Sequence, residues 1–124
     1  ERTDMSTKLY GAIIFPEYVK SGLERAKFSN RITGRFTMFT KHDRKNDEYL
    51  EINIELKNGV KTGKSLEKEI TESIVESLLK NSAEHKNNAN MMPGRVDPKL
   101  ILWSYEHPLY FKSGIKQKWV KKEV

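Results

Sequence analysis

The chain has 124 residues, enough for one hydrophobic core and too few for two. Hydrophobic residues make up 36% and charged residues 32%, which suits a module with a modest core and much wet surface, and the lack of cysteine excludes a disulfide framework and thiolate metal sites. The 23 lysines and arginines outnumber 17 acidic residues for a formal +6, favouring anionic partners without choosing among them. No stretch resembles a signal peptide or a membrane-spanning apolar run, so a cytoplasmic setting is expected. Lys99, Lys112, Lys116, Lys118, Lys121 and Lys122 gather in the last quarter, making that end the anion-facing candidate.

In chain order, Lys8 to Phe15 is a short apolar run with β-branched residues, read as one strand. Pro16 supplies the fixed φ of a first helical turn, and Val19, Leu23 and Ala26 recur at helical spacing through 17–27, with Gly22 weakening the helix and Ser29-Asn30 ending it. From Arg31 to Lys41, Ile32, Phe36 and Met38 fall on one face of a second strand, and Gly34 is a candidate bulge. The polar run His42 to Asp47 is the turn. Strict alternation follows: Leu50, Ile52, Ile54 and Leu56 face a dry side, while Glu51, Asn53, Glu55 and Lys57 face a wet one.

Ser65 is the expected cap of the longest helix, with Glu67 and Glu69 at its positive end and a wide stripe of Leu66, Ile70, Ile74, Val75, Leu78 and Leu79. His85 to Pro98, rich in Asn, Pro and Gly, reads as an irregular connection before a last buried strand at Leu100 to Trp103. The order β-α-β-β-α-β predicts an α+β fold of the split, ferredoxin-like kind, an antiparallel sheet with two helices on one face.

Some patterns invite a chemistry that their spacing does not support. Gly59-Val60-Lys61-Thr62-Gly63-Lys64-Ser65 ends like a phosphate-binding loop but is one residue short between its glycines, so a turn and helix start account for it. His42, His85 and His107 are scattered without ligand spacing and are read as exposed, leaving no metal site. Trp103, Tyr105, Tyr110, Phe111 and Trp119 interleave with lysines as base-stacking surfaces do, yet no RNA-binding signature accompanies them, and packing is the plainer role.

A family resemblance rests on two segments. Arg2-Thr3-Asp4, followed at fixed distance by Gly11-Ala12-Ile13-Ile14-Phe15-Pro16, resembles the hinge and following strand of the acyl- and aryl-CoA ligases related to phenylacetate-CoA ligase. Ser113-Gly114-Ile115-Lys116 is similar to that family's C-terminal lysine segment, with one departure, since Ile115 separates the glycine from the lysine. The resemblance implies a C-terminal lid domain over residues 1–124, with 1–8 the hinge segment and 105–124 the lysine-bearing tail. It assigns Arg2 and Asp4 to the hinge, Gly11 to the approach of CoA, and catalysis to Lys116, with Lys112 and Lys118 as rivals. Glycine suits a close approach because a side chain would block it.

The same resemblance implies ATP, Mg2+ and CoA in the full-length enzyme, none held tightly by this domain alone. Its partners would be its own large N-terminal adenylation domain, a carboxylic acid and CoA, without membrane or nucleic acid, and a homodimer is compatible with it. The isolated domain is expected to be inactive. The alternative is a non-enzymatic basic ferredoxin-like module that binds nucleic acid or protein.

Overall fold

A computed structural model describes residues 6–107 and Phe111. The elements are β1 (Thr7–Leu9), β2 (Ala12–Ile14), α1 (Pro16–Leu23), a 3-10 turn (Ala26–Phe28), β3 (Ile32–His42), β4 (Glu48–Leu56), α2 (Lys64–Asn81), α3 (Ala83–Met91) and β5 (Lys99–Trp103). The α+β class is as expected, but the pairing among the described residues is not one split antiparallel sheet. β1 and β2 form their own antiparallel hairpin, and β3-β4-β5 form a separate sheet in which β4 runs antiparallel to β3 and parallel to β5.

The hairpin corrects the reading of Lys8 to Phe15 as one strand. Tyr10 and Gly11 have φ of 49° and 81°, and Leu9 pairs with Ala12 around them. Two consecutive positive φ values make the tight turn whose twist matches that of the flanking strands. The strand therefore folds back on itself after three residues. β2 then runs directly into α1, whose first residue is Pro16, as its missing N–H predicts.

One apolar core joins the elements. Leu50, Ile52, Ile54 and Leu56 of β4 and Ile32, Phe36 and Met38 of β3 meet Leu66, Ile70, Ile74 and Leu78 of α2, together with Val19 and Leu23 of α1 and Leu9 and Ile14 of the hairpin. The ladder shifts register between Ile32 and Phe36, where Gly34 takes φ +95°, so the bulge is present. Gly22 has a packing role: a Cβ there would lie 2.8 Å from the Ile74 Cα, so only glycine lets α1 lie this close on α2. Ser73 and Ser77 of α2 seal that contact by donating to the Gly22 and Tyr18 carbonyls, each at 2.6 Å.

Two helix boundaries differ from expectation. The cap of α2 is Gly63 rather than Ser65, and the helix begins at Lys64. The stretch after His85 is not irregular throughout: Ser82 caps α3, its hydroxyl accepting from the His85 N–H at 3.1 Å. A serine followed by Glu84 is a helix start, a signal masked by the asparagines that follow.

Candidate functional site

The tip of the hairpin presents backbone to the outside, as do the glycine positions at Gly34, Gly59, Gly63 and Gly94. Gly11 is exposed, and nothing lies within 4 Å of where its Cβ would stand. The turn itself is firmly held. The Tyr10 N–H donates to Glu48 Oε1 at 2.7 Å, and the Tyr10 carbonyl accepts from Asn88 Nδ2 at 3.2 Å, so β4 and α3 grip it from two sides. Below, Thr7 and Thr40 hydroxyls meet at 2.7 Å and Thr40 donates to the Lys8 carbonyl, tying the hairpin to β3.

Beside the turn lies a cavity of about 510 Å³, bordered by Tyr10, Arg44, Asp47, Tyr49, Arg95 and Lys99 among others. Its charges are largely matched. Arg95 pairs with Asp47 at 3.1 Å, and Lys99 sits 4.3 Å from the Tyr49 ring centroid. The Tyr10 hydroxyl, buried without a hydrogen bond of good geometry, is still near enough to be the leading cause raising the Arg95 pKa, ahead of Asp47. Asp43 shapes the adjoining turn by accepting from the Lys45 and Asp47 N–H groups, and the Asp47 bond leads in holding its carboxyl below the ordinary range.

A second feature is the outer face of β4, expected to be wet. Glu51, Asn53 and Glu55 are instead buried, the last two at 0% exposure. Trp103 Nε1 donates to Asn53 Oδ1 at 2.6 Å, Asn53 Nδ2 donates to Glu51 Oε2 at 3.1 Å, and Lys41 pairs with Glu51 at 3.2 Å. Glu55 accepts from the Thr33 hydroxyl at 2.6 Å and from the Glu106 N–H at 2.7 Å, with Arg35 at 3.6 Å. Arg35 also donates to the Phe111 carbonyl at 3.4 Å and lies over its ring. Buried polar groups persist where they find such partners. Glu106 and Phe111 are thereby held against the sheet in a polar clasp.

Of the residues singled out from sequence, Gly11 is placed at the exposed turn. Arg2, Asp4, Lys112, Lys116 and Lys118 lie outside the described residues. The Gly59 to Ser65 stretch is a turn leading into α2, after a strand whose hairpin partner is antiparallel. Among the described residues no group of three or more His, Asp or Glu side chains could hold a metal ion, and no helix is long and apolar enough to cross a membrane. Trp103 is engaged by Asn53 and by His107, whose ring centroid is 4.4 Å away, so it is not free to stack on a base.

His85 corrects the reading of exposed histidines. It is 1% exposed in α3, and burial pushes its pKa below the ordinary value against the opposing pull of Asp97. Sequence reading also missed Glu48 and Asn88, the grips on the turn, and the polar cluster on β4. No local pattern announces them, because each acts on a residue far along the chain.

No protein-family model matches the sequence, and no curated protein does. Among solved structures, a domain of phenylacetate-coenzyme A ligase from Bacteroides vulgatus ATCC 8482 is similar, with a TM-score of 0.58 and 15% identity over 98% of this chain and 95% of that one. Over nearly its whole length, then, this chain shares the fold of a phenylacetate-coenzyme A ligase domain.

Proposed function

We propose that this chain, residues 1–124, is the C-terminal lid domain of an ATP-dependent acyl- or aryl-CoA ligase. The observation that carries the reading is the end-to-end likeness to a ligase domain. The exposed, doubly gripped Tyr10-Gly11 turn supports it, since it offers a bare backbone edge that CoA could approach in this reading.

In this reading a carboxylate attacks the α-phosphate of ATP, giving an acyl-adenylate and pyrophosphate, and the CoA thiol then displaces AMP. Mg2+ accompanies ATP in the large N-terminal domain, which also holds the acid. Lys116 supplies a positive charge to the crowded carboxylate and phosphate oxygens during adenylation, as a point charge with rotatable donors. Arg2 and Asp4 form the hinge about which the domain turns, and the Gly11 edge then faces the thiol. The isolated chain is inactive because the acid pocket and the ATP site belong to the larger domain.

The test is a half-reaction assay in the full-length ligase. Lys116→Ala should lower adenylate formation by roughly a hundredfold or more, the scale for removing one pre-organised charge from a transition state. Thioester formation from supplied acyl-adenylate should stay near the parental rate. A selective loss in Lys112→Ala or Lys118→Ala instead would move the role to that lysine, and no selective loss in any of the three would end the lid assignment.

A further inference from the structure

We infer that the cavity between the hairpin turn, the β3–β4 turn and the start of β5 is a binding site for a small phosphate monoester, whose phosphate is received by Arg44, Lys45 and Lys99. The inference goes beyond the ligase reading and does not depend on it, since every residue it uses lies in this chain.

Charge matching in this cavity is complete for the acids and incomplete for the bases. Its walls carry four bases and three acids. Asp43 accepts from the Lys45 and Asp47 N–H groups at 2.8 and 3.0 Å, Asp47 pairs with Arg95 at 3.1 Å, and Glu48 accepts from the Tyr10 N–H at 2.7 Å while facing His42 at 3.9 Å. Arg44, Lys45 and Lys99, by contrast, make no ion pair among the described residues. The Asp43 carboxyl is held below its ordinary range first by the Asp47 N–H and only last by Lys99 and Lys45. Glu51, opposite Lys99 in the parallel ladder, is already taken by Lys41 at 3.2 Å and by Asn53 at 3.1 Å. The acceptors at this site are engaged, and cationic donors are left over.

Such a set of donors fits a ligand that is charged and only accepts. A phosphate monoester carries a charge of about −1.5 to −2 near neutral pH and three acceptor oxygens, whereas a carboxylate offers a single charge and two oxygens. The Arg44 fork suits a pair of phosphate oxygens, and the two ammonium groups act as point charges. At about 510 Å³ the cavity falls within the roughly 300–1,000 Å³ range of small-molecule sites. That leaves room for the organic part of an ester. The Tyr49 ring, with Lys99 4.3 Å from its centroid, keeps that ammonium at the wall.

The donors stand on fixed backbone. In the β3–β4 turn the Asp43 N–H donates to the Asp47 carbonyl at 3.0 Å and the Asn46 N–H to the Asp43 carbonyl at 2.9 Å, while the Asp43 side chain binds the Lys45 and Asp47 N–H groups. Arg44 and Lys45 are thus carried by a closed loop, and Lys99 by the ladder of β5 with β4. A site whose backbone is already ordered loses less on binding than one that must first form.

The experiment is calorimetric titration of the 124-residue chain at low salt, with ribose phosphate, inorganic phosphate, acetate and ribose as probes. Ribose phosphate should bind with a Kd below about 1 mM, and at least about tenfold more tightly than acetate. Inorganic phosphate should bind more weakly than the ester, and ribose not at all. Added salt should weaken the binding, as it does contacts between exposed charges. Arg44→Gln and Lys99→Gln, both at exposed positions, should each weaken ribose phosphate at least about fivefold. Lys68→Gln removes the same charge from an exposed position on α2 and should leave the affinity within about twofold.

Amide shifts recorded during the same titration should be confined to the Asp43 to Tyr49 stretch, Arg95, Lys99 and Tyr10, with the α2 amides unmoved. No binding of ribose phosphate at about 10 mM, ten times the expected Kd, overturns the site. Equal weakening by Lys68→Gln overturns it too, because the attraction would then belong to the net charge of the chain. Acetate binding as tightly as ribose phosphate overturns the phosphate class, and inorganic phosphate binding at least as tightly overturns the ester. Each of these results leaves the ligase reading intact, since the half-reaction assay of Lys116→Ala uses none of these residues.

Discussion

The two faces of β4 bury neighbouring residues of one strand by different physics. On the inner face Leu50, Ile52, Ile54 and Leu56 enter an apolar layer shared with α2, where contact is non-directional and area decides. On the outer face Glu51, Asn53 and Glu55 are buried as thoroughly, but through specific partners that must each be in place. The first arrangement holds the domain together, whereas the second specifies where one particular segment lies. Stability should therefore be concentrated inside and geometric control outside.

The strongest challenge to that division is a deletion in the inner layer. Ile74, fully buried between the sheet and the close approach of Gly22, has little room for its surroundings to collapse into a void. Ile74→Ala should cost about 2–5 kcal/mol, the range for large-to-small core changes. Urea unfolding reads this directly, and a loss under about 1 kcal/mol, the level of a tolerated hydrophobic swap, would mean the core is not the main support.

A smaller effect is expected outside. Trp103→Phe keeps an aromatic ring but removes the N–H that Asn53 Oδ1 accepts, leaving a buried acceptor without that partner at a cost of about 1–3 kcal/mol. If this substitution destabilised the chain more than Ile74→Ala, the two faces would have exchanged roles.

The smallest test concerns a polar group carried into the helical side. The His85 pKa is lowered in the folded chain, so below the ordinary value of 6.5 the unfolded chain takes up a proton that the folded one refuses. Stability should decline as pH falls through 6.5 toward the lowered folded value and should be insensitive to this group above that window. The slope is at most about 1.4 kcal/mol per pH unit. Comparing His85→Gln with the parent between neutral and mildly acid pH isolates this contribution. Equal slopes in both proteins would show that the histidine is not shielded from protonation.

Local signals were legible where the chain interacts with its near neighbours. Pro16 marks the start of α1, the alternation from Leu50 to Leu56 gives β4 and its dry face, and the stripe from Leu66 to Leu78 gives α2. The Tyr10-Gly11 turn was less so, because tyrosine seldom takes positive φ and the apolar run on either side reads as continuous. The outer face was not legible at all. Alternating charges on a strand ordinarily mean solvent, and what covers Asn53 and Glu55 arrives from Trp103 and Glu106, 50 and 51 residues away. For the candidate site, Gly11 stood out by motif, while its grips Glu48 and Asn88 are distant polar residues with no pattern of their own.

The parallel pairing of β4 with β5 has a kinetic meaning. Asn53 and Trp103, joined across that pair, are 50 residues apart, with α2 and α3 between them. Closing so long a loop must be compensated before its contacts reward it, whereas the β1-β2 hairpin and the β3-β4 ladder need only short closures. β5 should consequently dock late during refolding, and the polar clasp, which needs Trp103 and Glu106 in place, can only close after it. A newly made chain would pass through a stage in which Glu51 and Glu55 are still hydrated and the inner layer is already dry.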